Sequence, residues 1–193
     1  YGDILIKGDF IIKNNTIVVG CVGNATNIAI PNSILQIGGG AFFGCYSLTS
    51  VTIPNSVKTI GEYAFNDCKG LTSINVPDSV TEIGSKAFSG CSGLKEVHIS
   101  NIEAWCNISF HGDNPLEYAH HLFLNNQEVK ELIIPKSVTT IREGAFKGCN
   151  NLISVDISGK IISIIVAIIT IAATLLKIIG VIVVIAIILG LLA

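Results

Sequence analysis

The chain has 193 residues, 50% of them hydrophobic and 13% charged, with a net charge of −2. Soluble domains average about 25% charge, so the composition excludes a disordered tail and a highly charged nucleic-acid binder. Twelve Lys+Arg against fourteen Asp+Glu leave no global field that would recruit polyanions. The apolar excess is uneven. Residues 161–193 contain 13 Ile, 4 Val, 5 Leu and 5 Ala, which is 27 of 33, and Lys177 is the sole charge among them. Residues 1–160 keep an ordinary balance, so the chain divides near Lys160 into a polar part long enough for one core and a tail suited to an apolar setting.

The polar part is a repeat. Ala41-Phe42-x-x-Cys45, Ala64-Phe65-x-x-Cys68 and Ala87-Phe88-x-x-Cys91 recur at a period of 23, and Ala145-Phe146-x-x-Cys149 follows 58 residues after the third. Two periods leave 12 residues over, so one degenerate repeat carrying an insertion is expected between them. The frame Leu48-x-x-Val51-x-Ile53-Pro54-x-x-Val57-x-x-Ile60 returns at Leu71–Ile83 and Val129–Ile141, and its first half returns at Leu94–Ile99 and Leu152–Ile157. Val51-x-Ile53 predicts a short strand with both residues inward. Pro54, lacking a ladder donor, ends it, and Asn55-Ser56 supply the turn. The Ala-Phe pair then carries the chain back with Phe filling the core. A single coil cannot bury its own apolar face, so neighbours must stack. The expected fold is a right-handed solenoid with short parallel strands, followed by a hydrophobic C-terminal helix.

The frame Leu-x-x-Val-x-Ile-Pro-x-Ser-Val-x-x-Ile-x-x-x-Ala-Phe-x-x-Cys resembles the BspA-like leucine-rich repeats of bacterial and protist surface proteins. The resemblance covers about residues 9–158. Within it, Asp9-Phe10-Ile11-Ile12 to Ile30-Pro31 is similar to the strand-rich lead-in of such arrays. Ile102-Glu103-Ala104-Trp105-Cys106 through Ala119-His120 is similar to the inserted repeat that interrupts them. The resulting expectation is a cap over residues 1–26, repeats over 27–158 with an insertion at about 101–128, and the helix over 159–193. The resemblance implies an extracellular or cell-surface binding and adhesion protein whose ligand, a protein or a surface glycan, the fold does not fix.

The remaining chemistry is sparse. Cys45, Cys68, Cys91 and Cys149 share one repeat position and predict a ladder of buried thiols. Cys21 and Cys106 fall outside it. Cys106, His111, Asp113, His120 and His121 are the one grouping to weigh for metal, but they lack paired Cys-x-x-Cys or His-x-x-x-His spacing, and a structural insertion is the simpler account. Gly38-Gly39-Gly40 lacks the Lys and Ser/Thr of a phosphate loop and falls at a repeat corner shared with Gly61 and Gly84. No triad order or carboxylate pair stands out. The chain reads as non-enzymatic, with no metal and no cofactor. Three Asn-x-Ser/Thr sequons, at Asn14, Asn24 and Asn107, matter only in a glycosylating secretory pathway.

The strand residues between the inward positions should align in outward rows. One row reads Ser50, Ser73, Glu96, Glu131 and Ser154, and the next Thr52, Asn75, His98, Ile133 and Asp156. Glu96, His98, Glu131 and Ile133 are therefore the candidate partner-binding residues, joined by Trp105 and the other aromatics of the insertion.

The tail is longer than the about 20 residues needed to span a bilayer core. Ser163, Thr170 and Lys177 recur every seven residues, as do Ala167 and Thr174, giving a narrow small or polar stripe that suits a helix–helix seam. The tail thus predicts either a membrane anchor or self-association into the core of a homo-oligomer or filament. The chain starts at Tyr1 and contains no Met, which reads as a processed form or a fragment.

Overall fold

The structure, a computed structural model, describes residues 4–7, 10–21, 24–112 and 114–157. The expected helix over 159–193, with its stripe of Ser163, Ala167, Thr170, Thr174 and Lys177, lies outside the described residues. Two compact units are present. The larger contains residues 1–132 and 140–155, and the described residues of the smaller are 133–139 and 156–157.

The larger unit opens with β1 (Ile4–Lys7), β2 (Phe10–Lys13) and β3 (Ile17–Cys21), an antiparallel meander. Asn14 and Asn15 turn β2 into β3 at φ 53° and 58°, the left-handed geometry that two-residue hairpins require and asparagine tolerates. Each following coil supplies two short strands: β4 (Asn27–Ala29) and β5 (Gln36–Ile37), β6 (Ser50–Thr52) and β7 (Thr59–Ile60), β8 (Ser73–Asn75) and β9 (Glu82–Ile83). β5, β7 and β9 extend β3 in parallel, with Ile37, Ile60 and Ile83 in register. The meander therefore covers the first edge of that sheet, which would otherwise present unpaired backbone. β4 pairs β6, and β8 pairs β10 (Glu96–Ile99), on the other side of the coil.

The repeat frame behaves as its spacing predicts. Val51 and Ile53 are buried, and Val57 donates its N–H to the Pro54 carbonyl at 3.1 Å as Val80 does to Pro77, closing the same turn in each coil. Phe42, Phe65 and Phe88 have no exposed surface and stack face to face, with centroids 5.0 and 5.3 Å apart and planes within 13°. Alongside them runs a second ladder, of backbone. Gly40, Phe42 and Gly44 donate to the carbonyls of Glu62, Ala64 and Asn66, and Tyr63, Phe65 and Asp67 donate to Ser85, Ala87 and Ser89, all at 2.7–3.0 Å. These corners are satisfied only by the adjacent coil. The approach is so close that a Cβ on Gly61 would sit 2.7 Å from the Gly39 nitrogen, and one on Gly84 2.5 Å from the Glu62 nitrogen. Close coil packing, not phosphate binding, explains the glycine corner.

After β10 the frame is lost from the sequence but kept in space. Helix α1 (Ile102–Cys106) takes the place of the proline turn, capped by Asn101, whose side chain accepts from the Glu103 and Ala104 amides. β11 (Ser109–Phe110) then pairs with β9 and becomes the last strand of that sheet. Helix α2 (Leu116–Ala119) replaces the Ala-Phe-x-x-Cys segment, and β12 (His121–Leu124) pairs with β10. The insertion is thus itself a coil, with its strand advanced 25 residues from β10 instead of 23. An Asn125–Asn126 turn, again left-handed, folds β13 (Gln127–Glu128) back against β12. β14 (Glu131–Ile134) and β15 (Ser154–Ile157) form a separate two-stranded sheet.

α1 and α2 do not offer the coil that follows the backbone donors of a regular repeat, and two side chains take over. Trp105 Nε1 donates to the Ala145 carbonyl at 2.8 Å, and Asn114 Nδ2 reaches the carbonyls of Gly144 (2.6 Å) and Ala145 (3.0 Å). Both residues are buried, Asn114 completely, and Asn114 Oδ1 is itself satisfied by the Leu116 amide at 2.7 Å. In the smaller unit Ile134 and Val138 are buried on either side of a turn in which Val138 donates to the Pro135 carbonyl at 3.0 Å.

Two stability predictions follow from these ladders. Phe65→Ala, which removes a ring stacked on both faces, should lower the unfolding free energy by about 3–5 kcal/mol, read as a drop in denaturant midpoint. Trp105→Phe keeps most of the ring but removes one of the two side-chain donors to the buried Ala145 carbonyl, and should cost about 0.5–1.5 kcal/mol. A Trp105→Phe midpoint equal to wild type would show that the donor is dispensable.

Candidate functional site

The outward rows begin as the alternation predicts. Ser50, Thr52, Asn75, Glu96 and His98 lie on the side of their strands opposite Val51, Ile74 and Val97, which are buried. The next members differ from the simple repeat count. The coil made by the insertion places His121 beside Glu96 and Phe123 beside His98, and β13 adds Glu128 opposite Phe123. Glu131 and Ile133 instead lie on β14, exposed, with Ile133 63% accessible. Trp105 requires a correction. It is 1% exposed and committed to the Ala145 carbonyl, so it presents nothing to a partner.

Four strands therefore position one continuous face. His98 Nε2 donates to Glu96 Oε2 at 2.9 Å, since a carboxylate can only accept. The His98 ring stacks on Phe123, with centroids 4.8 Å apart and planes at 20°. His121 Nδ1 donates to Glu128 Oε1 at 2.6 Å, and Asn151 Nδ2 donates to the same oxygen at 2.9 Å. Lys130 approaches the other Glu128 oxygen at 3.6 Å. The His121 hydrogen bond, followed by that of Asn151, holds the Glu128 carboxyl below the usual carboxylate range, so it stays ionised. The face combines two anchored carboxylates, two imidazoles and an aromatic ring, flanked by the small polar side chains of the preceding coils. Those groups suit recognition through hydrogen bonds and ring contact.

The grouping weighed for metal is not brought together. His111 pairs with Glu82 at 3.2 Å, His120 Nδ1 lies 3.0 Å from the Gly148 carbonyl, and His121 is held by Glu128. Cys106 is buried, and Asp113 lies outside the described residues. No cluster of three or more metal-ligating side chains occurs among the described residues.

The cysteine ladder is inward at its centre. Cys68 and Cys91 are completely buried, and their Sγ atoms donate to the carbonyls of Phe42 and Phe65, one coil back, at 3.1 Å. Cys45 and Cys149 are half-buried. Cys91, Cys106 and Cys149 carry free thiols, while the side chain of Cys21 lies outside the described residues. Burial pushes the Cys91 thiol up to about 12 and the Cys106 thiol up to about 11.

Coils of period 23, parallel strands on two sides and a ladder of Phe and Cys between them define a leucine-rich-repeat solenoid. The BspA type leucine-rich repeat region matches residues 14–120 and 117–169 in six copies. The chain belongs to that family. A comparison with curated proteins gives no match. Among solved structures, the chain is similar to a leucine-rich cell surface protein of Faecalibacterium prausnitzii (26% identity, TM-score 0.54, 81% of this chain and 43% of that one). It also shares the fold of a leucine-rich repeat protein of Eubacterium ventriosum (22% identity, TM-score 0.55, 81% and 40%). The chain thus spans less than half the length of either.

The raised thiols have a direct consequence in alkali. A group that folding holds protonated contributes stability that is complete below its unfolded value, about 9 for a thiol, and lost as pH rises towards the folded value. Stability should therefore fall between pH 9 and 12, and a Cys91→Ala variant should show a shallower decline. Native Cys91 and Cys106 should also resist a thiol-specific reagent at pH 8 until denaturant is added.

Proposed function

We propose that the protein is a non-enzymatic surface-binding and adhesion protein, its repeat array displayed outside the cell by the apolar segment 161–193 acting as a membrane anchor. The observation that carries this reading is the ordered outward face of β8, β10, β12 and β13. Glu96, His98, His121, Phe123 and Glu128 there are held by one another. They have no part in closing the core. Solenoids use such sheet faces to hold partners, and the partner here is a protein or a surface glycan.

Family membership supports the surface setting, as does the F. prausnitzii protein described as a cell surface protein. Thirty-three residues with a single charge support the anchor. No helix long and apolar enough to cross a membrane occurs among the described residues, so the anchor rests on the sequence of the tail. The seven-residue spacing of Ser163, Thr170 and Lys177 favours a second reading, in which tails bundle into the core of a homo-oligomer or filament with the repeats outside.

Expression with and without 161–193 separates the two readings. Full chains that extract into detergent as monomers support the anchor, whereas regular detergent-resistant polymers overturn it in favour of the assembly. For the face, binding of the full chain to arrays of extracellular proteins and glycans should fall about tenfold or more in Phe123→Ala, as for a ring at the centre of an interface. Ile133→Ala, on a different sheet, should bind as wild type. Equal binding by Phe123→Ala and wild type would remove this face from the function.

A further inference from the structure

A second surface, formed by the Ala-Phe corners, carries an independent feature. The residue just before Ala-Phe adopts the left-handed conformation in several coils, and at Gly40 and Gly144 it is glycine, with φ 64° and 80°. In the coil between Gly40 and Lys86 it is Tyr63, at φ 55°. A large aromatic residue is strained in that region, and such strain persists where the surroundings impose it and function uses it. Tyr63 gains no core packing in return, since its ring is only half-buried.

The positions one coil to either side decide what that ring presents. Lys86 holds its ammonium 5.6 Å from the ring centroid. One coil back stands Gly40, which has no side chain, and beside it lies a shallow, open depression of about 470 Å³ lined by Gly39, Gly40, Phe43, Glu62 and Tyr63. Phe43, 58% exposed, forms another wall, and Glu62, exposed, is the acidic residue of the lining.

We propose that this depression is a saccharide subsite, in which the C–H face of a hexose ring stacks on Tyr63 and its hydroxyls donate to the Glu62 carboxylate. Hexoses combine an apolar ring face with hydroxyls at its edge, and an aromatic ring beside an acidic side chain matches both. A cationic ligand fits less well, because the Lys86 ammonium already occupies the far side of the same ring. The subsite lies on different corners from the Glu96–Glu128 face and does not depend on it.

Saturation-transfer NMR tests the assignment on the full chain, kept in a detergent without a sugar headgroup, with cellotriose, maltotriose and N-acetylchitotriose as probes. At least one probe should receive saturation at its ring C–H protons. Tyr63→Gly should weaken that binding about tenfold or more, while its melting temperature rises because the φ strain is relieved. Tyr63→Phe should retain binding, Glu62→Gln should weaken it several-fold, and Tyr46→Ala, outside the depression, should leave it unchanged. Absence of transfer to all three probes overturns the proposal, as does undiminished binding by Tyr63→Gly. Tyr63-dependent capture of an arrayed protein without saccharide binding overturns it too, and makes the corner a protein-docking surface.

Discussion

Everything in this solenoid depends on the donation of backbone N–H groups from one coil to the carbonyls of the next. Within a coil the Ala-Phe corner turns too sharply to satisfy its own peptides, so the amides of Gly40, Phe42 and Gly44 have partners only because Glu62, Ala64 and Asn66 lie one step on. The phenylalanine stack and the glycine corner follow from that spacing. Rings one coil apart stack at close to 5 Å because the backbone ladder sets the separation, and glycine is required where the next coil leaves no room for a Cβ. Hydrophobic burial supplies the stabilisation, and the ladder supplies the geometry in which it is realised.

The irregular coil shows how strictly this demand applies. With α1 and α2 in place of the standard corner, the carbonyls of Ala145 and Lys147, which match Ala64 and Asn66, would lose their donors from the preceding coil. Trp105 and Asn114 are buried for that purpose, and no other buried polar side chain in the described residues gathers as many carbonyls as Asn114. Seen this way the insertion is less an interruption than a coil whose backbone donors have been exchanged for side-chain donors.

The fold was legible where burial repeats. Period, strand positions, the inward Val51 and Ile53 and the turn at Pro54 all follow from residues whose neighbours are copies of themselves. It was not legible between Ile99 and Val129, because two short helices stand in for motif segments and the coil is two residues longer. Asn125–Asn126 was the available signal for the reversal, being the same dipeptide that turns β2 into β3. The expected row aligned Glu131 and Ile133 with Glu96 and His98, whereas the coil made by the insertion places His121 and Phe123 there, and the reversal adds Glu128. Glu96 and His98 themselves were readable from alternation alone. Trp105, one of the insertion aromatics offered to a partner, is instead core, its indole donor spent on the Ala145 carbonyl.

The seam at Trp105 and Asn114 has a bearing on how the array folds. The coils that carry Phe42, Phe65 and Phe88 are coupled in succession through three backbone bonds, a ring stack and a shared strand edge, so order in one is readily passed to the next. Across the seam side chains carry much of the coupling: Trp105 and Asn114, joined by the His120 contact to Gly148 and the Lys147–Glu117 ion pair. The array is therefore not uniform along its length: the regular coils are coupled as a continuous block, and the strength of these side-chain contacts bears on whether the final coil melts with that block or apart from it.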